Sequence, residues 1–144
     1  MRKNRGFTLI ELIVTIAVLA IIATITAPSF MQMIRSNQLT KDTHNFIDLL
    51  AETRSEAIFK QAEKVLTLDA NAAVFYKKWS PTYVEKSSGD SSVTFNRLGQ
   101  STITTNGQCF IFQHRNNTSL KSYVYVERAG AVFYKKTATS CPTS

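Results

Sequence analysis

The sequence predicts an α+β protein, in which one long N-terminal helix packs its second half on an antiparallel β-sheet. Three observations carry that expectation. An uncharged, apolar run extends from Leu12 to Ile34. From Phe30 to about Lys64, apolar residues recur at steps of three and four, the helical period. Beyond Lys64 the period shifts toward two, in short β-branched and aromatic runs separated by turn residues.

The N-terminus comes first. Met1 to Gly6 is short and polar, with Arg2, Lys3 and Arg5. The run from Leu12 to Ile34 is long enough to cross a membrane as a helix, since about 20 apolar residues suffice. Basic residues ahead of it should hold its N-terminus in the cytoplasm. A secretory signal has a shorter apolar core that ends at a small-residue cleavage site. Here the small-residue break, Gly6, precedes the run, so cutting there would leave the helix on the mature chain. Glu11 is the one charge between Phe7 and Ile34. A lone carboxylate in a bilayer costs roughly 2–3 kcal/mol or more, so something else must need it. Pro28 removes a helical hydrogen bond and predicts a kink or local melting, or else the end of the span. Thr24, Thr26 and Ser29 are placed to satisfy the freed backbone groups.

The amphipathic half follows. Leu39, Phe46, Leu49, Leu50, Ala57 and Ile58 mark its core face, and Glu56 can reach Lys60 at i,i+4 on the exposed one. The strand candidates are 65–68, 73–76, 92–95, 109–112, 123–126 and 131–134. Turn signals punctuate them at Ser87-Ser88-Gly89-Asp90, Leu98-Gly99, Asn106-Gly107, Asn116-Asn117 and Ala129-Gly130. A helix followed by hairpins is an α+β layout. Trp79 is expected to close an edge of the core, His44 to lie on the helix surface and His114 at a strand end.

Composition bounds the rest. The chain has 144 residues, and little more than 100 lie beyond the leader and the apolar helix, which suits one small core. The formal charge is +7, and removing the leader's three basic residues leaves +4. From Arg35 to Lys64 five basic residues balance five acidic ones, whereas from Val65 onward nine basic residues face four acidic. That field suits a polyanion or simple solubility. Cys109 and Cys141 enclose 31 residues. A domain exported into an oxidising compartment pairs them by default, which would contribute roughly 3–4 kcal/mol; free thiols are the minor reading.

Arg5-Gly6-Phe7-Thr8-Leu9-Ile10-Glu11 resembles the class III signal of type IV pilins and type II secretion pseudopilins. The resemblance implies cleavage by a prepilin peptidase between Gly6 and Phe7, with N-methylation of Phe7. It also implies that Glu11 pairs with the N-terminal amine of a neighbouring subunit, a buried pair that fixes register, and that Pro28 marks where the helix loosens on packing. Ala51-Glu52-Thr53-Arg54-Ser55-Glu56-Ala57-Ile58, Val93-Thr94-Phe95-Asn96-Arg97-Leu98-Gly99 and Tyr125-Val126-Glu127-Arg128-Ala129-Gly130 are similar to the GspH/FimT branch, of the FimU or FimT kind. The expected organisation is a leader at 1–6, a membrane and filament-core half-helix at 7–34, and an exported pilin domain at 35–144, with its helix over about 35–64 and its β region over about 65–144. The implied role is a minor type IV pilin that helps prime assembly near the pilus tip. It would reside in the inner membrane with its domain in the periplasm, and then in the pilus. Its implied partners are the major pilin and other minor pilins. The alternatives in the same family are a FimT-like minor pilin that binds DNA for uptake in natural transformation and a GspH-like pseudopilin of type II secretion.

Ala73-Val74-Phe75-Tyr76-Lys77-Lys78 recurs as Ala131-Val132-Phe133-Tyr134-Lys135-Lys136. Coincidence between good strand residues is one reading. The other is a basic, aromatic-edged surface for double-stranded DNA, in which lysines neutralise phosphates. On neighbouring strands the four lysines would share one patch, extended by Arg115, Lys121 and Arg128. Some FimT-type pilins bind DNA through a Gly-Arg-x-Arg stretch. Here Gly130 is followed by Ala131-Val132-Phe133, and lysine lacks arginine's bidentate fork. No catalytic constellation, cofactor motif or metal-ligand spacing is present, and Asn116-Asn117-Thr118 reads as a turn.

Overall fold

The computed structural model describes residues 6–103, 106–136 and 140–141; residues 1–5, expected to belong to a leader, and the side chains of residues 25–27, Thr26 among them, lie outside that description. The chain divides into two compact units, Met1–Ile34 and Arg35–Ser144. One helix, α1 (Leu9–Phe59), carries Pro28 inside it. In the first unit every described residue from Gly6 to Met33 is exposed, apolar ones on all sides of the helix included. Among the described residues no single helix is long and apolar enough to cross a membrane, but Leu9–Thr24 and Pro28–Phe59 pass that test together as a bent pair. The break lies immediately ahead of Pro28, which has no N–H for the carbonyl four residues back.

In the second unit α1 buries a stripe: Leu39, Asp42, Thr43, Phe46, Leu50, Thr53 and Ala57. The steps of three and four keep these on one side. Leu49 is partly buried beside it, whereas Ile58, expected on the core face, is 42 % exposed. The helix was expected to reach about Lys64 and stops at Phe59. A Schellman cap ends it. Gln61 takes a positive φ of 51°, the Ala62 N–H donates to the Ala57 carbonyl, and the Gln61 N–H donates to the Ile58 carbonyl.

Among the described residues seven strands follow: β1 (Lys64–Thr67), β2 (Lys77–Lys78), β3 (Val84–Ser88), β4 (Ser92–Phe95), β5 (Gly107–His114), β6 (Asn117–Glu127) and β7 (Val132–Lys136). They form two sheets, ordered β2-β1-β4 and β3-β5-β6-β7. All pairs are antiparallel except β1–β2. Residues 73–76 do not form the expected strand. Only Lys77 and Lys78 pair, with Leu66 and Thr67, because β1 is short and Val74 and Phe75 find no partner strand. Their β propensity is a packing preference that goes unused.

The alternation of β5 defines the two faces of the larger sheet. Gln108, Phe110, Phe112 and His114 point inward, and Gly107, Cys109, Ile111 and Gln113 outward. Phe46 meets Trp79, Phe110 and Phe112 with ring centroids 5.3, 5.2 and 5.0 Å away. Leu66, Val93 and Phe95 of the smaller sheet complete the same core. Trp79 is therefore a core residue, and its indole N–H donates to the Asp42 carbonyl. The buried Asp42 carboxylate accepts the Tyr83 N–H, and Thr43 Oγ1 pairs with Ser122 Oγ. Cys109 is bonded to Cys141, beyond β7, with Cα atoms 6.1 Å apart.

Arg54 ties the helix to two turns. Its Nε donates to the Gly99 carbonyl at 2.9 Å and its Nη2 to the Ala129 carbonyl at 3.4 Å. Gly99 and Gly130 have φ of 74° and 85°, and both pack against this side chain. A Cβ at Gly130 would collide with the Gly99 carbonyl oxygen and sit 2.8 Å from Arg54 Nε. Glycine serves here for conformation and for space.

His114 ends β5 fully buried. Its Nδ1 accepts the Asn116 N–H, which leaves Nε2 to donate to Gln38 Oε1 at 3.0 Å. That is a neutral imidazole. Burial, and then the nearby Arg35 charge, push its pKa below the ordinary 6.5 against the opposing pull of Asp42. The stabilisation from neutral His114 is therefore complete above about pH 6.5 and is lost as pH falls through the lower folded value.

Two predictions follow from this packing, both read by urea unfolding of the chain in detergent through Trp79 emission. Phe46→Ala should lower stability by about 3–5 kcal/mol; a loss under about 1 kcal/mol would mean that the cluster is not the shared core. Between pH 7.5 and 5 the wild type should lose more stability than His114→Gln, and parallel profiles would remove the imidazole from the account.

Candidate functional site

Of the functional residues expected at the N-terminus, Glu11 lies on the first turn of α1 and Pro28 inside the helix. Gly6 and Phe7 precede the helix, and Phe7 is 85 % exposed. Thr8 caps the helix. Its Oγ1 accepts the Glu11 N–H at 3.3 Å, and its carbonyl accepts the Leu12 N–H at 3.2 Å. Thr8 and Glu11 thus occupy the N-cap and N3 positions of a capping box, where a carboxylate also faces the positive end of the helix dipole. Reading Glu11 as a membrane charge missed this local role, although the Thr-x-x-Glu spacing was its signal. Further along, Thr15 and Thr24 donate to the carbonyls of Leu12 and Ile21. Their hydroxyls are thereby satisfied within the helix, which suits an apolar setting.

The condition for one shared patch of four lysines, neighbouring strands, is not met. The two hexapeptide copies lie in different sheets, so Lys77 and Lys78 on β2 are not on a strand neighbouring Lys135 and Lys136 on β7. Lys77 Nζ lies 2.9 Å from Glu52 Oε1. The Glu52 carboxylate, through that hydrogen bond and its charge, holds the ammonium pKa above the usual 10.5. Lys78 Nζ donates to the Ala70 carbonyl.

In the larger sheet, Lys121 stands opposite Gln113, Lys135 opposite Tyr123 and Lys136 opposite Ser122. Ser122 is buried inward, so Lys121 and Lys135 share the outer face and Lys136 takes the other. Arg115 and Arg128 sit in the turns at opposite ends of β6. Arg115 donates from Nε to the Val84 carbonyl and from Nη2 to the Pro81 carbonyl. One basic residue that sequence reasoning left out, Lys86, lines a cleft with Lys78 and Arg115. Nothing local in the sequence links those three positions. Among the described residues no group of three His, Cys, Asp or Glu side chains is arranged to hold a metal ion.

Residues 1–27 match the prokaryotic N-terminal methylation motif. Two crystal structures of the type IV minor pilin FimU from Pseudomonas aeruginosa resemble the fold. The first shares 16 % identity at a TM-score of 0.56, over 74 % of this chain and 96 % of that one. The second shares 15 % at 0.53, over 72 % and 100 %. No curated protein sequence matches. At such identities the likeness concerns the fold, a long helix followed by a mainly antiparallel β region. With a prepilin methylation motif at its start and the α+β fold of FimU behind it, the chain is type IV pilin-like.

Proposed function

We propose that this chain is a minor type IV pilin, a structural subunit that joins the pilus near its tip and helps prime its assembly. The observation that carries this reading is the helix that begins at the methylation motif. It is apolar all round yet exposed at every described position through Met33, with a single carboxylate on its first turn. Such a helix needs lipid or other helices around it.

The sequence of events is as follows. A prepilin peptidase cuts between Gly6 and Phe7, leaving residues 7–34 as a single inner-membrane span with its N-terminus in the cytoplasm and the domain 35–144 in the periplasm. The span then leaves lipid for the helical bundle of the filament, among the major pilin and other minor pilins. Glu11 accepts the free amine of a neighbouring subunit there. A charge pair removed from water is tolerated only when both charges are present, so it forms in correct register alone. Pro28 lets the helix yield locally as it packs.

The cap found at Thr8 sharpens the test, because glutamine at position 11 keeps the N3 cap and loses the charge. Both Glu11→Gln and Glu11→Ala should be cleaved like the wild type and appear in sheared filaments about tenfold less. Full incorporation of Glu11→Gln, with loss only in Glu11→Ala, would assign the residue to the helix cap. Full incorporation of both would end the registry role.

A further inference from the structure

Three cations far apart in the sequence line one cleft. Lys78 ends β2, Lys86 lies in β3 and Arg115 stands in the turn between β5 and β6. The cleft is about 340 Å³, and Trp79 and Pro81 form part of its wall. Glu85 is the one carboxylate among its lining residues, and its Oε1 already accepts Gln113 Nε2 at 2.6 Å.

The hydrogen bonds of the cations go to backbone carbonyls: Lys78 to Ala70 at 2.8 Å, Lys86 to Asp90 at 2.8 Å and Arg115 to Val84 at 3.1 Å. A carbonyl orients a cationic head without neutralising it, and an ammonium has three donors to place. Positive charge and spare donors therefore remain for an anion.

The cleft also has two sheet edges beside it. β2 is the outer strand of the smaller sheet and β3 of the larger. Edge strands offer backbone groups that pair with an added extended chain, while side chains alternate between flanking pockets. A phosphodiester backbone would use the cations but neither the strand edge nor the apolar wall.

We infer that this cleft receives an extended acidic segment of a partner protein, with its backbone along the β3 edge and its carboxylates on Lys78, Lys86 and Arg115. The inference goes beyond the assembly role and does not rest on it, since no residue of the first unit takes part.

The test uses the full chain in detergent and a peptide of alternating Glu and Val as probe. Trp79 is the single tryptophan of the chain and borders the cleft, so its emission reads occupancy. The expected result is a saturable change that weakens with salt and is not produced by the Gln–Val counterpart. Lys78→Glu with Lys86→Glu should weaken affinity by about tenfold or more, the milder Lys86→Gln should weaken it less, and Lys135→Glu on β7 should leave it unchanged. No saturable change in the wild type, equal binding of the Gln–Val peptide, or an equal loss in Lys135→Glu would each overturn the inference. So would a DNA duplex that binds more tightly through Lys78 and Lys86 and displaces the peptide, because the cleft would then be a phosphate site.

Discussion

Phe46 stands where one helix face has to serve two sheets. Its ring touches Trp79, just past β2, and Phe110 and Phe112 on β5, and the core continues into Leu66, Val93 and Phe95 of the smaller sheet. That sheet has strands of four, two and four residues. So small a sheet is not independently stable and needs an apolar face to lie on. The stripe from Leu39 to Ala57 supplies it and is continuous with the face that covers β5 and β6. Each tilted or edge-on aromatic contact adds about 0.5–1.5 kcal/mol beyond area burial. The polar ties of Asp42, Thr43 and Trp79 then fix the register of the sheets on the helix.

Arg54 extends the same constraint to the end of α1. Its guanidinium donates to Gly99 in one turn and Ala129 in another, and so joins the three segments whose pattern resembles the GspH/FimT branch. The glycines at 99 and 130 read from the sequence as turn residues, and their positive φ agrees with that. Their second duty, leaving room for Arg54 and for each other, was not legible. It depends on how closely two loops distant in sequence approach the helix.

The N-terminal unit presents the opposite situation. Among the described residues from Gly6 to Met33 it buries nothing of its own, so its stability as a helix rests on backbone hydrogen bonds, the Thr8 cap and its surroundings. Thr15 and Thr24 turn their hydroxyls onto helix carbonyls, which removes the polar cost of an apolar environment. The one carboxylate sits on the first turn, where the cap and the dipole favour it.

Much of this was written locally. The apolar run, the helical period of the core stripe, the alternation of β5 and β6 and the hairpin glycine at 130 are all patterns of neighbouring residues, and they determined the α+β class and most element positions. Residues 73–78 and 131–136 show where such reading stops. The same six residues make an irregular segment with a two-residue strand in one place and an edge strand in the other. A strand needs a partner, and partners are assigned by packing distant in sequence. For the same reason the sequence could list the basic residues but not group them. It took the folding of two separate sheets to set Lys77 and Lys78 apart from Lys135 and Lys136, and to bring Lys78 to one cleft with Lys86 and Arg115. Periodicity reports which face a side chain takes within its own element, and only the tertiary structure decides which other elements that face will meet.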